Sequence, residues 1–238
     1  MIPVKKTVIP AVSVVAIVLV SACLLLYMRT SSRFEITHVG IRGNSRLSPE
    51  AIVEYLNIQP QTNIFQIQLD EIQQRLESLQ WVKTANVYRN FPNKISVDLT
   101  ERIPFALVKL DQLHIVDKEG VVLGALASGS AITLPIITGK VVEQIDIEGE
   151  NPTLRQALQA IHELMNASPP VFQHIRKIQI QSLENATFIS HDPDLPEIRI
   201  SLVEYNQNVQ RLQQIYPTLS LENLAYLDLR FERRIIVK

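Results

Sequence analysis

The sequence predicts an α+β fold: a single N-terminal transmembrane helix, then a β-α-α-β-β module, then an antiparallel-sheet domain with two helices. Three observations predict it. Residues 7–28 form an uncharged run of 22 residues, about 33 Å as a helix and long enough for a hydrocarbon core of about 30 Å. Beyond it, short stretches alternate apolar and polar side chains, the period-two pattern of half-buried strands. Between these lie stretches with apolar residues at three-four spacing, the pattern of helices with one apolar face.

Composition narrows the function. Of 238 residues, 46% are hydrophobic, enough for a sizeable core. The net charge is −1, so no excess of positive charge is available to neutralise phosphates and nucleic acid is not an expected partner. The single cysteine, Cys23, lies in the apolar run. The body beyond it therefore has no disulfide, thiolate metal site or cysteine nucleophile.

The apolar run is read as an uncleaved anchor. Lys5 and Lys6 precede it, Arg29 and Arg33 follow it, and Tyr27 suits the membrane–water interface. That small charge bias favours an N-terminus inside. A cleaved signal has a shorter apolar core and a small-residue cleavage site. Val20-Ser21-Ala22-Cys23 matches a lipoprotein box, but Leu24-Leu25-Leu26-Tyr27-Met28 carries the apolar run past the cysteine.

After a polar linker, residues 34–42 read as a strand and Gly43-Asn44-Ser45 as a turn. Ser48-Pro49 reads as N-cap and first residue of a helix that buries Ile52, Tyr55 and Leu56. Leu69, Ile72, Leu76 and Leu79 form one face of a second helix. Residues 81–89 and 95–101 read as paired strands joined by Phe91-Pro92-Asn93-Lys94, with Ile95, Val97 and Leu99 facing inward. Ile103-Pro104 marks a boundary. Strands follow near residues 105–109, 113–117 and 121–123, the last two joined by a turn at Asp117-Lys118-Glu119-Gly120. Leu134-Pro135-Ile136-Ile137-Thr138-Gly139 comes next. Asn151-Pro152 caps a helix carrying Leu154, Leu158, Ile161 and Met165. Strands near 175–180, 186–190 and 197–201 precede a last helix with Leu202, Tyr205, Val209, Leu212 and Tyr216, and residues 224–238 end the chain as β structure. Closely spaced strands with few helices argue for an antiparallel α+β domain rather than a Rossmann-like one.

These residues resemble a known family. Residues 34–109 are similar to a POTRA domain through Val39-Gly40, Asn44-Ser45-Arg46-Leu47-Ser48, Asn63-Ile64-Phe65, Trp81-Val82-x-x-Ala85-x-Val87-x-Arg89, Phe91-Pro92-Asn93 and Glu101-Arg102-x-Pro104-x-Ala106. The second module resembles the β-domain of the bacterial division proteins FtsQ and DivIB through Val116-Asp117-x-x-Gly120, residues 134–139 and Leu227-Asp228-Leu229-Arg230-Phe231. Two positions depart from the pattern. Gln61 stands where the family has glycine, so a different turn is expected there, and Phe231 replaces a tyrosine.

The resemblance implies a short cytoplasmic tail at 1–6, a membrane span at 7–28, a linker at 29–33, a POTRA domain at 34–102 and an FtsQ-type β-domain at 103–238. It implies a bitopic, inner-membrane division scaffold at the septum, N-terminus in the cytoplasm and body outside it. Such a scaffold binds FtsB-like and FtsL-like partners and regulates septal peptidoglycan synthesis. The competing classes are a POTRA-bearing periplasmic assembly or secretion factor, which usually continues into a β-barrel, and a lipoprotein chaperone.

No catalytic residue, cofactor, metal or small-molecule substrate is expected. His162-Glu163 lacks the second histidine of a zinc helix and reads as a helix-surface pair, and His191-Asp192-Pro193-Asp194 reads as a solvated turn. Glu101-Arg102 reads as a strand end at a domain junction, with Arg102 paired to a carboxylate. Trp81 reads as packed against a helix. The candidate site is the C-terminal segment: Tyr226, Asp228, Arg230, Phe231, Arg233, Ile235, Ile236 and Val237. If Glu232-Arg233-Arg234 forms a turn, Ile235–Lys238 returns as a short edge strand and offers unpaired N–H and C=O groups to an incoming strand. An internal strand guarded by Arg233, Arg234 and Lys238 is equally compatible with the residues alone; the resemblance favours the edge.

Overall fold

The computed structural model describes residues 8–127, 129, 133–147, 149, 151–167, 172, 174–203, 205–218, 224–231 and 234–238. The expected tail at 1–6, Thr7 and Arg233 lie outside them. The chain divides into two compact units, Met1–Glu101 and Arg102–Lys238.

The first unit opens with helix α1, Val8–Thr30. Its side chains from Val14 to Tyr27 are exposed throughout, and its Ser13–Thr30 stretch, with a mean hydropathy of 2.0, is long and apolar enough to cross a membrane. Its last carbonyls are not orphaned: Asn63 Nδ2 donates to Met28 O at 2.9 Å and Gln66 Nε2 to Arg29 O at 3.5 Å. A 3-10 turn, Ser32–Phe34, follows. Strand β1 is His38–Arg42. It starts later than the branched residues suggest, because Ile36 N donates to Thr62 O and Ile64 N to Phe34 O, which bonds residues 34–36 to a loop instead of the sheet.

Helix α2, Pro49–Leu56, is capped by Ser48, whose hydroxyl accepts from Ala51 N. Helix α3 is Leu69–Glu77. Strands β2, Val82–Asn90, and β3, Lys94–Glu101, complete a sheet ordered β1-β3-β2, with β1 parallel and β2 antiparallel to β3. Ile52, Leu56, Ile72 and Leu76 from the helices meet Val82, Ala85, Val87, Ile95, Val97 and Leu99 from the strands in one core. Leu76 is fully buried, so truncation to alanine costs about 2–5 kcal/mol. Tyr55 is a correction: it is 45% exposed rather than buried, since Ile52 and Leu56 alone fill the inward face of α2. Gly43 is where the backbone demands glycine. Its φ is +81°, and a Cβ there would lie 1.9 Å from Leu99 O. Gln61 adopts φ +61°, a conformation that costs a non-glycine residue about 1–2 kcal/mol.

The second unit is a mixed, mainly antiparallel sheet of nine strands. They are β4 Pro104–Lys109, β5 Leu113–Asp117, β6 Val122–Ala125, β7 Ile136–Thr138, β8 Ile175–Ser182, β9 Asn185–Ser190, β10 Glu197–Ile200, β11 Tyr226–Asp228 and β12 Ile236–Val237. Their order is β12-β11-β10-β9-β8-β7-β4-β5-β6. The parallel exceptions are β10 with β11, β4 with β7 and β7 with β8. Beside the two expected helices, α5 Pro152–Ala167 and α6 Tyr205–Ile215, a four-residue helix α4, Lys140–Glu143, is present. Leu154, Leu158 and Ile161 of α5 and Val209 and Leu212 of α6 pack on Ile178, Ile180, Phe188, Ile198, Leu227 and Leu229. Asp117 Oδ1 accepts from Glu119 N and Val121 N, both at 2.9 Å, and shapes the β5–β6 turn with Gly120 at φ +81°. Arg102 pairs with Asp117 at 2.7 Å and Glu119 at 3.0 Å.

Candidate functional site

The C-terminal segment does not form one continuous strand. β11 lies between β10 and β12, and β12 ends the sheet. Tyr226 and Lys238 exchange both hydrogen bonds: Lys238 N donates to Tyr226 O and Tyr226 N to Lys238 O, each at 3.2 Å. Along an antiparallel ladder such pairs alternate with pairs whose amides and carbonyls turn away from one another. Leu227–Val237 is therefore a non-bonded pair and Asp228–Ile236 a bonded one. The N–H and C=O of Val237 point out of the sheet, where no neighbouring strand runs among the described residues.

This geometry separates residues that the sequence groups together. Tyr226 and Asp228, expected on the edge, sit one strand inward, because the chain turns back through Phe231 and lays β12 across them. Ile235 is half-buried against the core, Ile236 is half-buried, and Val237 is 46% exposed. Phe231 is 37% exposed, with the Arg234 guanidinium 5.1 Å from its ring centre.

Asp228 and Arg230 hold the return in place. Arg230 donates to Asp228 through Nε at 2.9 Å, Nη2 at 2.5 Å and its backbone N at 3.1 Å. Burial pushes the Asp228 carboxyl up, but these hydrogen bonds and the charges of Arg230 and Arg199 outweigh it, so the carboxyl titrates below its ordinary value. The Asp228 hydrogen bond raises Arg230 in turn. Two supports carry no sequence signal: Asn185 Oδ1 accepts from Arg230 Nη1 at 3.1 Å, and Arg211 Nη1 donates to Phe231 O at 3.1 Å. Arg199 also lies 4.2 Å from the Tyr226 ring centre.

The edge at β2 in the first unit is different. Its Ala85 N–H is taken by Glu77 Oε1 at 3.0 Å, and Arg89 reaches from the strand to Ile64 O at 2.8 Å and Ile67 O at 2.5 Å. Side chains thus cover β2 in the way that natural edges are blunted. Glu101 closes the same unit by accepting from the backbone N–H groups of Ser45, Arg46 and Leu47 at 2.9–3.1 Å. Burial raises its carboxyl, but the three amides and the Arg46 charge prevail and hold it below the usual value. Trp81 carries the Arg46 guanidinium 4.5 Å above its ring.

Among the described residues, no three His, Cys, Asp or Glu side chains come close enough to share a metal ion. A cleft of about 400 Å³ lies between α5 and α6, lined by His162, Glu163, Asn166, Tyr205 and Val209. The Tyr205 hydroxyl donates to Glu163 there and is pushed up to about 12 by that bond. His162 meets Asn166 Nδ2 at 3.2 Å and the edge of the Phe105 ring. These groups satisfy one another across a helix pair.

The family model described as POTRA domain, FtsQ-type, matches residues 34–102. The model described as cell division protein FtsQ/DivIB, C-terminal, matches residues 106–230. The chain is 31% identical over 213 residues to the cell division protein FtsQ of Syntrophotalea carbinolica, covering 87% of this chain and 75% of that protein. The FtsQ of Myxococcus fulvus is 25% identical over 220 residues, 90% of this chain and 75% of the relative. The FtsQ of Geobacter sp. (strain M21) is 27% identical over 197 residues, 81% and 72%.

Proposed function

The chain belongs to the FtsQ/DivIB family of cell division proteins, and from that membership we propose that it is a membrane-anchored division scaffold whose β12 edge captures a strand of an FtsB-like partner. The observation that carries this reading is the outward backbone of Val237 on a sheet edge that no described strand covers. An incoming strand gains main-chain hydrogen bonds there and continues the nine-stranded sheet. The exposed flanks of Phe231 and Val237 give it apolar side chains to pack on. Arg230, Asp228 and Tyr226 act from behind, by fixing the return that delivers β12 to the edge.

In this reading residues 7–28 span the inner membrane with the N-terminus in the cytoplasm, and residues 29–33 link the span to a POTRA domain at 34–102 and a β-domain at 103–238. The bare apolar surface of α1 supports the span, since water alone does not favour so long an exposed apolar helix. The scaffold also engages an FtsL-like protein, and the assembly regulates septal peptidoglycan synthesis. Binding and holding are the whole task, and no chemical step is assigned to the protein.

Co-purification of the full-length protein from its own cells tests the reading. Recovery of FtsB-like and FtsL-like coiled-coil proteins with wild type, and their loss with Val237→Pro at unchanged circular dichroism, is the expected result. Retention of both partners by the variant removes β12 as the capture edge.

A further inference from the structure

Four aromatic rings run in sequence from the end of α1 to the β2–β3 hairpin tip. Tyr27 meets the ring of Phe34 edge-on at 6.4 Å, Phe34 meets Phe65 at 5.2 Å, and Phe65 stacks on Phe91 at 5.3 Å. The middle two are half-buried against the core of the unit, whereas Tyr27 is 54% and Phe91 60% exposed. A ring left that open at a hairpin tip gains nothing from water.

The height of this tip relative to α1 is fixed by hydrogen bonds. Asn63 grips Met28 O and Gln66 reaches Arg29 O, so the loop that carries Phe65 lies level with the last turn of the apolar helix. Asn63 Oδ1 also accepts from Phe65 N at 3.0 Å, which orients that residue. Thr37 N donates to Asn93 O at 3.0 Å and holds the hairpin tip against the segment leaving the helix. Exposed basic residues, Arg29, Arg33 and Lys94, flank the aromatic series in the chain. Aromatic rings bordered by lysine and arginine, at the depth where an apolar helix ends, are the composition of a membrane–water interface.

We propose that the hairpin tip at Phe91, continuous with Phe65, Phe34 and Tyr27, beds in the headgroup–acyl boundary of the membrane and so fixes the first unit against the bilayer. This inference rests on the reading of α1 as a membrane span. The occupant of the patch is lipid rather than a protein partner, because the rings join directly onto the surface of the span. The apolar contact adds to α1 a second attachment that opposes swivelling about residues 29–33.

The native chain offers its own control. Trp81 is its only tryptophan and directly precedes β2, at the opposite end of the hairpin from Phe91 and about 30 Å away along the strand. Full-length wild type and the Trp81→Phe, Phe91→Trp double variant are reconstituted into phosphatidylethanolamine–phosphatidylglycerol vesicles with and without acyl-chain bromination. Bromine is expected to reduce the emission of the tip tryptophan about twofold or more, the response of an indole in the interface, and to leave Trp81 nearly unchanged. Equal, water-like emission at both positions in protein that floats with the vesicles overturns the tip contact and leaves the anchor standing. Failure to float overturns the anchor and the tip contact together. A blue-shifted tip that bromine does not quench, and that depends on protein concentration, assigns the patch to protein association and also overturns the proposal. If circular dichroism shows the double variant misfolded, Asn90→Trp with Trp81→Phe reads the same depth by the same criteria.

Discussion

The ladder phase at β12 distinguishes two proline substitutions that sequence alone treats as equivalent. Val237 turns its N–H outward, so Val237→Pro removes a donor that takes no part in the ladder with β11. Its effect on stability is expected within about 0.5 kcal/mol, the range of a surface change. Ile236 turns its N–H inward to β11, so Ile236→Pro breaks a ladder bond and costs about 1–3 kcal/mol by leaving the Asp228 carbonyl short of a donor. In complex with a partner strand the costs reverse. Val237→Pro forfeits a net hydrogen bond of about 1 kcal/mol and leaves a partner carbonyl desolvated at about 1–3 kcal/mol. Together these weaken binding by about 2–4 kcal/mol, roughly 30-fold to 1,000-fold. The assay is titration calorimetry of the full-length proteins in detergent against the separately purified FtsB-like protein of the proposed function, with thermal melts of each variant alone. Binding by Val237→Pro within threefold of wild type, or binding loss that tracks its melting temperature, refutes the ladder phase.

Three further predictions concern stability. Gln61→Gly relieves a positive φ and raises stability by about 0.5–1 kcal/mol after glycine's larger entropy loss is subtracted, read as a higher melting temperature of the first unit. Asp228→Ala leaves the Arg230 guanidinium without its chelating carboxylate; it lowers stability by about 2–3 kcal/mol and weakens partner capture, measured by denaturant melts and by pull-down. Glu101 and Asp228 both titrate lower when folded than unfolded. Their contribution is therefore complete above the ordinary carboxylate range and drains as pH falls through the depressed folded values, so melting temperature holds from pH 7 to about 5 and then declines. Glu101→Gln flattens that decline for the first unit.

Much of the architecture was legible because strong local signals agreed. Ser48-Pro49 started α2, the spacing of Leu69, Ile72 and Leu76 defined α3, and Ile95, Val97 and Leu99 faced inward as their alternation requires. The misses have a common cause. Residues 34–36 have strand-like side chains, yet their backbone bonds were claimed by the loop at 62–64, a contact that no local pattern encodes. Tyr55 satisfies helical spacing but lost its place to two neighbours that already filled the face. At the candidate site the apolar alternation of Leu227 and Leu229 was readable. Which strand lay outermost depended on the return through Arg230, held by Asn185, 45 residues earlier. Glu101 was read as part of a junction; that it binds three amides about 55 residues back follows only from the meeting of β3 with the turn after β1.

Strand order in the first unit dictates when that unit can assemble. Its middle strand, β3, is the last one synthesised, and both outer strands take their ladder pairing from it. In the proposed topology, a chain exported behind its own anchor crosses with β1, α2, α3 and β2 ahead of the strand that joins them. The sheet closes in one event once residues 94–101 emerge and Glu101 latches onto Ser45–Leu47. In that topology translocation meets an unfolded thread rather than a half-built module, and the order of synthesis postpones folding of the first unit until β3 has passed.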